Sequence, residues 1–266
     1  MAIETHHEVL IKCDPNTIIF RYMDLDKFES LLKDKSLFFC RSDKFSDPFE
    51  GSQLVKEAEY RPEESKRLAS FSGRTISQQE AQKSSNDLAE FHKKCKKSFI
   101  VNCWHINNGE SDAMWRLYLK TNEGVAIQST VKDLIESFKE NEDQIMLSKV
   151  RYLDYQKDIY YHPKDYPING YNAISPIIHK RLAFSHESEL RVFRQINDAI
   201  HDIHYWDNQP NKKGKFISVN LNKLIKNIIL PPTSDEGVKK VVQTLLKENN
   251  FDFLIERSKL DDEPTY

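Results

Sequence analysis

Apolar residues fall in short runs whose spacing switches between the strand and the helix period along the chain. Thr17 to Met23 (TIIFRYM) reads as a strand. Asp24 is placed to cap a following helix with Leu25, Phe28, Leu31 and Leu32 on one face. Ser36 to Arg41 is a second strand, and Ser42 to Gly51 (SDKFSDPFEG) a turn-rich loop. From Ser52 to Thr75 the pattern is polar and weakly helical. Ser77 and Glu80 then have the spacing of a capping box for a long helix reaching about Lys97.

Beyond this charged stretch the pattern predicts a strand over Phe99 to Trp104, a short helix over Glu110 to Leu119, a strand over Gly124 to Ser129 and a helix from Val131 to about Glu140. Gln144 to Tyr155 reads as one long strand, His162 to Tyr171 as a Pro/Gly/Tyr loop, Asn172 to Arg181 as a helix and Glu189 to Gln195 as a strand. Late strands are expected over Phe216 to Val219, Lys226 to Leu230 and Phe253 to Glu256. An amphipathic helix, Asp235 to Asn249, directs Val238, Val241, Val242, Leu245 and Leu246 inward. Strands and helices mix without a βαβ rhythm. The expected fold is therefore a single α+β domain over residues 1–266, with a mixed, largely antiparallel or split sheet flanked by helices and a charged helical insertion at about 52–97.

Composition narrows the function classes. Apolar residues make up 39% and aromatics 11% of the 266, enough for a full core. Lys plus Arg number 39 against 41 Asp plus Glu, so no global basic field favours nucleic acid. No apolar run is long enough to span a bilayer. The start, MAIETHHEVLIK, has no basic segment followed by an apolar one, so no secretory signal is expected and the expected location is the cytoplasm. Cys13, Cys40, Cys95 and Cys103 lack paired spacing and read as reduced structural thiols, with no metal site.

Candidate chemistry gathers at the ends of the predicted strands. Arg21 closes an apolar strand and has the chemistry to clamp a phosphate, or else to pair with Asp24 or Asp26; Tyr22 beside it is a packing or contact residue. Trp104 and His105 end another strand, and Trp115 and Tyr118 lie three apart on one helical face; such aromatics beside an arginine can stack on a flat base or pack as core. His105 is a candidate hydrogen-bond donor or base. In HESELRVF, alternation puts Glu187, Glu189 and Arg191 on one side and Leu190 and Val192 on the other. Asp43, Asp47 and Glu50 suit either a hard cation or a capped turn packed by Phe45 and Phe49. His201 and His204 have metal-like spacing on a loop; Lys93, Lys94, Lys96 and Lys97 read as a basic helix end that complements the helix dipole, and Lys212, Lys213 and Lys215 as a solvated hairpin turn around Gly214.

Four blocks, Phe20-Arg21-Tyr22, Ser46-Asp47-Pro48-Phe49-Glu50, Met114-Trp115…Tyr118…Gly124-Val125-Ala126-Ile127 and Phe184…Glu187-Ser188-Glu189-Leu190-Arg191, resemble the bacterial domain-of-unknown-function 2971 family from about Phe20 to Leu260. Leu119 departs from the alanine common in that family. A looser similarity is to ADP-ribosyltransferases, which carry a basic residue on an early strand and a late ExE. The Ser-Thr-Ser strand of those enzymes has only a partial counterpart in Gln128-Ser129-Thr130. That resemblance implies an ADP-ribosyltransferase-like architecture and NAD as substrate. Arg21 would lie on the diphosphate, Trp104 or Trp115 on a base, Glu189 at the ribose and Glu187 towards an acceptor of unspecified identity. Tyr22, His105, Tyr118 and Arg191 complete the expected binding set, with a setting in bacterial conflict or phage defence. Two rivals stand beside it: a metal-dependent nuclease or phosphoesterase using Asp43, Asp47, Glu50, Glu187 and Glu189, and a non-catalytic nucleotide- or partner-binding sensor built on Arg21, Trp104 and Arg191.

Overall fold

In the computed structural model the described residues are 3–4, 9–119, 121, 123–141, 144–159 and 173–266. The order from the N-terminus is β1 (Ile3–Glu4), β2 (Ile18–Asp24), α1 (Leu25–Asp34), β3 (Ser36–Arg41), α2 (Val55–Phe71), α3 (Gln78–Ser98), β4 (Phe99–Ile106), α4 (Asp112–Tyr118), β5 (Gly124–Thr130) and α5 (Val131–Ser137). It continues through β6 (Ile145–Lys149), β7 (Arg151–Leu153), β8 (His179–Arg181), β9 (Glu189–Gln195), α6 (Asp198–His201), β10 (Gly214–Ser218), α7 (Leu221–Leu224), β11 (Asn227–Ile229), α8 (Glu236–Glu248) and β12 (Leu254–Glu256).

Three of the longer helices start on capping side chains. Asp24 accepts from Lys27 N at α1, and the Ser77–Glu80 capping box is reciprocal at α3. Asp235 accepts from Val238 N at α8, whose Val238, Val242 and Leu246 are buried against the sheet. Three expectations are corrected. Val241, expected inward on α8, is exposed. The strand expected over Gln144 to Tyr155 is two strands, because at Val150 the chain changes partner: Val150 N donates to Glu189 O, and the next amide, Arg151 N, donates to Ile178 O. The helix expected over Asn172 to Arg181 is instead a 3-10 turn, Ser175–Ile177, with Pro176 in its first turn, running into β8; β8 pairs in parallel with β7. Asn172 and the loop His162 to Tyr171 lie outside the described residues.

Among the described residues ten strands form one sheet, ordered β1-β6-β9-β4-β2-β5-β11-β12, with β3 and β10 branching from β4. Pairing is antiparallel except for β1 with β6 and β11 with β12. The α+β expectation, with a largely antiparallel and split sheet, therefore holds. The split is local. One edge of β4 is taken by β9 from Phe99 to His105. The other edge is shared, with β3 pairing at Ile100 and Val101 and β2 at His105 and Ile106. Between those points β2 and β3 part, leaving residues 102–104 of β4 without a strand neighbour on that side.

The gap is trimmed by side chains. Asn102 Nδ2 donates to Phe38 O of β3 at 2.9 Å, and Asn102 Oδ1 accepts from the indole of Trp104 at 2.8 Å. Arg21 of β2 donates through Nη1 to Cys103 O at 2.6 Å. One face of the sheet packs Ile19, Met23, Trp104 and Leu190 beneath α1, α5, α7 and α8; the other packs Phe20 and Tyr22 against Met114 and Trp115 of α4.

Asn102→Ala removes both trimming bonds and leaves the indole N–H of Trp104 buried without an acceptor. We predict a loss of about 2 kcal/mol in stability, read by urea unfolding. An unchanged midpoint would show that the gap is held by packing alone.

Candidate functional site

The parting of β2 and β3 opens a cleft of about 620 Å3. Because it passes through a gap in the sheet, it is lined from both faces: Met23, Leu31, Leu37 and Trp104 on one side, and Phe20, Phe38, His105 and Glu189 on the other. Arg21, Tyr22, Tyr118 and Glu187 also line it. Arg21, Trp104 and Glu189 thus share one cavity although they are far apart in sequence.

Arg21 is half-buried, and burial lowers its pKa from the ordinary value. The one hydrogen bond of its side chain among the described residues is to the Cys103 carbonyl, and it makes no ion pair there. Asp24 caps α1 and pairs with Lys27 instead. The guanidinium lies 6.0 Å from the centre of the Trp104 ring. Trp104 itself is only 1% exposed, with its N–H satisfied by Asn102, so it forms a wall of the cleft rather than an open stacking platform.

His105 Nδ1 lies 2.7 Å from Glu187 O. A carbonyl only accepts, so Nδ1 carries the proton. Burial lowers the His105 pKa, which favours the neutral ring. Its Nε2 is buried without a partner among the described residues. Tyr22, on the cleft wall, accepts from Ser111 N and meets Trp115 edge-on at 4.8 Å, an arrangement that braces the wall. Tyr118 is exposed, and burial of its hydroxyl end raises its pKa.

The far end of the cleft is a buried chain of charges. Lys180 donates to Glu187 Oε2 at 2.5 Å and to Glu189 Oε1 at 2.7 Å. Arg191 donates to Glu189 Oε2 at 2.6 Å, Glu50 Oε1 at 2.5 Å and Ile177 O at 2.5 Å. Both oxygens of Glu189 are therefore held by cations. Although its own burial pushes the pKa upward, Arg191 and then Glu187 and Lys180 outweigh that and keep it low. Glu187 has one cation only; burial, then Glu189 beside it, raise its pKa to about 7.

The two glutamates do not reach this point by strand alternation. Glu187 ends a 3-10 turn, Leu182–Glu187, and Ser188 takes a left-handed conformation (φ 40°) before β9 begins. Such backbone costs a non-glycine residue of order 1 kcal/mol, and here it brings two carboxylates to one ammonium. Leu190 and Val192 point into the core, as the alternation within β9 predicts.

Two residues expected to contact ligand lie off the cleft. Trp115 is 3% exposed, with its N–H on Glu110, and belongs to the core beneath α4. Arg191 is 1% exposed and spent on Glu50 and Glu189. Of the carboxylates proposed for a metal, Asp43 is held by Arg41 through two bonds and Asp47 by Arg181 through two, while Glu50, Glu187 and Glu189 converge on the cations Lys180 and Arg191. Among the described residues no group of three or more His, Cys, Asp or Glu is arranged to hold a metal ion. Asp47 Oδ1 also accepts from Phe49 N, so the SDPFE loop is a capped turn that delivers Glu50 to the cluster. Lys180 and Glu50 are the members of the site that sequence periodicity did not nominate for this role. The signal for Lys180 was a lone lysine seven residues before Glu187, and nothing in the spacing ties either residue to Arg191.

Arg191→Met keeps the length of the side chain and removes its charge, leaving Glu50 and Glu189 buried with less compensation. We predict a loss of about 3–5 kcal/mol in unfolding free energy. A change under about 1 kcal/mol would mean that these carboxylates are solvated and the cluster is not a buried unit.

Comparison with curated proteins gives no match to the sequence. Among solved structures, Thermus sp. 2.9 DarT in complex with NAD+ is similar at a TM-score of 0.38 and 11% identity, covering 95% of this chain and 100% of that chain. A likeness that remote transfers no chemistry. No helix among the described residues is long and apolar enough to cross a membrane. The family model described as Protein of unknown function (DUF2971) matches residues 114–192, from within α4 to Val192 of β9, and over that stretch the chain is similar to that family.

Proposed function

We propose that the cleft binds NAD and transfers its ADP-ribosyl group to an acceptor or to water. The observation that carries this reading is Arg21. It is a half-buried guanidinium with no carboxylate partner among the described residues, in the same mostly apolar cavity as a pair of unequal carboxylates. A guanidinium needs an anion when water is largely removed, and a diphosphate supplies one with the geometry for two hydrogen bonds.

The chemistry follows from the inequality of the two glutamates. Glu189, held ionised, lies at the end of the cavity to receive a ribose hydroxyl and stabilise positive charge developing at C1′. The bond from C1′ to the pyridinium nitrogen breaks, and its electron pair leaves with neutral nicotinamide. The nucleophile bonds to C1′ and gives its proton to the carboxylate of Glu187, whose pKa near 7 suits a general base. His105 holds the backbone at Glu187 in place through its Nδ1–H.

A second reading, a nucleotide-binding module without turnover, draws on the engagement of both Glu189 oxygens. Turnover by the wild type separates the two, with the Glu189→Gln variant as its control. On the transferase reading the variant binds NAD but releases no nicotinamide. On the sensor reading, wild type and variant both bind and neither forms product.

Incubation of the pure protein with NAD and detection of free nicotinamide and transferred label tests the activity. Arg21→Ala is predicted to weaken NAD binding about 10–100-fold by calorimetry, the worth of a charge-assisted contact, and to cost about 1 kcal/mol in stability by baring the Cys103 carbonyl. Equal affinity in the variant would remove the diphosphate assignment. For kcat/KM, which reports the free enzyme, the base must be deprotonated. The value is predicted to rise about tenfold per pH unit below 7 and to level above 8. A flat profile from pH 5 to 9 would remove Glu187 as the base.

A further inference from the structure

Five buried charged groups meet at the end of the cleft: three carboxylates, Glu50, Glu187 and Glu189, against two cations, Lys180 and Arg191. Side-chain exposure is 1% for Glu50 and Arg191, 5% for Glu189, 10% for Lys180 and 11% for Glu187. With every group ionised the cluster carries three negative and two positive charges, a net −1. An uncompensated charge in such surroundings is costly, and the cheapest remedy is one proton.

The geometry says which group takes it. Glu189 has a cation on each oxygen, and Glu50 shares Arg191 with it, while Lys180 stands 4.0 Å from the other Glu50 oxygen. Glu187 has Lys180 alone, and it lines the cleft. The remaining neighbours do not change the balance. From β4, the His105 ring is neutral and bonded to the Glu187 carbonyl, and burial keeps the Cys103 thiol protonated. From α4 and β7, Tyr118 and Tyr152 are held in their neutral forms, Tyr152 accepting from Glu189 N. His186, on the same 3-10 turn, is exposed, and Arg21 of β2 makes no ion pair with either glutamate.

We propose that this cluster selects a ligand bearing a single positive charge at its reactive end, the oxidised N-ribosyl pyridinium of NAD rather than the uncharged dihydropyridine of NADH, and that binding the cation displaces the proton of Glu187. The exchange is charge-neutral: one proton leaves for solvent as one pyridinium enters, and no covalent bond in the ligand changes. The inference rests on the reading of the cleft as a dinucleotide site, and adds to it the redox form that the site accepts and the group that enforces the choice. A neutral ring gives the protein no reason to release the proton. At higher pH, where Glu187 ionises unaided, NADH faces a net negative pocket.

Titration calorimetry on the full-length protein with NAD and with NADH, each in two buffers of different ionisation enthalpy, reads the protons released. With half of Glu187 protonated near pH 7, NAD is expected to release about half a proton there, nearly one at pH 6 and almost none at pH 8. Its affinity should climb up to about tenfold per pH unit below 7 and then level. NADH should release no proton and bind at least about tenfold more weakly at pH 8. Glu187→Gln, if folded, should bind NAD with no proton release and an affinity level with pH; the comparison of the two nucleotides on wild type stands without it. NAD binding with no buffer-dependent heat, or equal binding of NAD and NADH at pH 8, would overturn the inference while leaving the dinucleotide site in place. Failure of both nucleotides to bind would remove the site and the inference together.

Discussion

Arg191 lies in the interior between Glu50 and Glu189, with Lys180 closing the chain of charges towards Glu187. These residues come from a loop after β3, from β8, from a 3-10 turn and from β9, segments that share no periodicity and meet only because the charges must be paired once they leave water. The irregular features of this region serve that meeting. The capped turn of Asp47 presents Glu50, the change of partner at Val150 lets β7 and β8 pair behind the cluster, and the left-handed Ser188 turns Glu187 back beside Glu189.

The cavity itself comes from a different constraint. An edge of β4 eight residues long is contested by two strands, and neither takes the middle. The unpaired stretch cannot be left with bare polar groups, so Arg21 covers the Cys103 carbonyl and Asn102 reaches to β3. The result is a hole through a sheet, with an arginine on its wall and the charge cluster at one end. Function, on this account, sits where regular pairing fails, and the remote parts of the sheet hold the failure open.

Much of the local structure was legible in the sequence, because it rests on local physics. The Asp24 cap, the Ser77–Glu80 box, the inward Leu190 and Val192 and the single-faced α8 all follow from spacing within a few residues. What was not legible depends on partners distant in the chain. Gln144 to Tyr155 has a strand pattern throughout, yet it splits because β9 ends as a partner at Glu189. Arg191 alternates correctly with Glu189, but alternation could not say that Glu50 would face it and seal it from solvent. Trp115 and Trp104 look alike as candidates for stacking; only the packing of Tyr22 and Asn102 shows that one is core and the other a wall. The unequal glutamates are likewise a tertiary fact, since their difference is the number of cations each receives.

If the cluster holds one exchangeable proton and Glu187 carries it, the free protein shows that proton directly. A 13C NMR pH titration of the side-chain carboxyl carbons, with glutamates labelled and Glu187 and Glu189 assigned through single substitutions to glutamine, reads this without any ligand. One midpoint near 7 is expected, lost in Glu187→Gln, while Glu189 stays ionised throughout. A Glu187 signal that titrates below about 5, as an ordinary solvated carboxyl does, or a proton residing on Glu189, would contradict it.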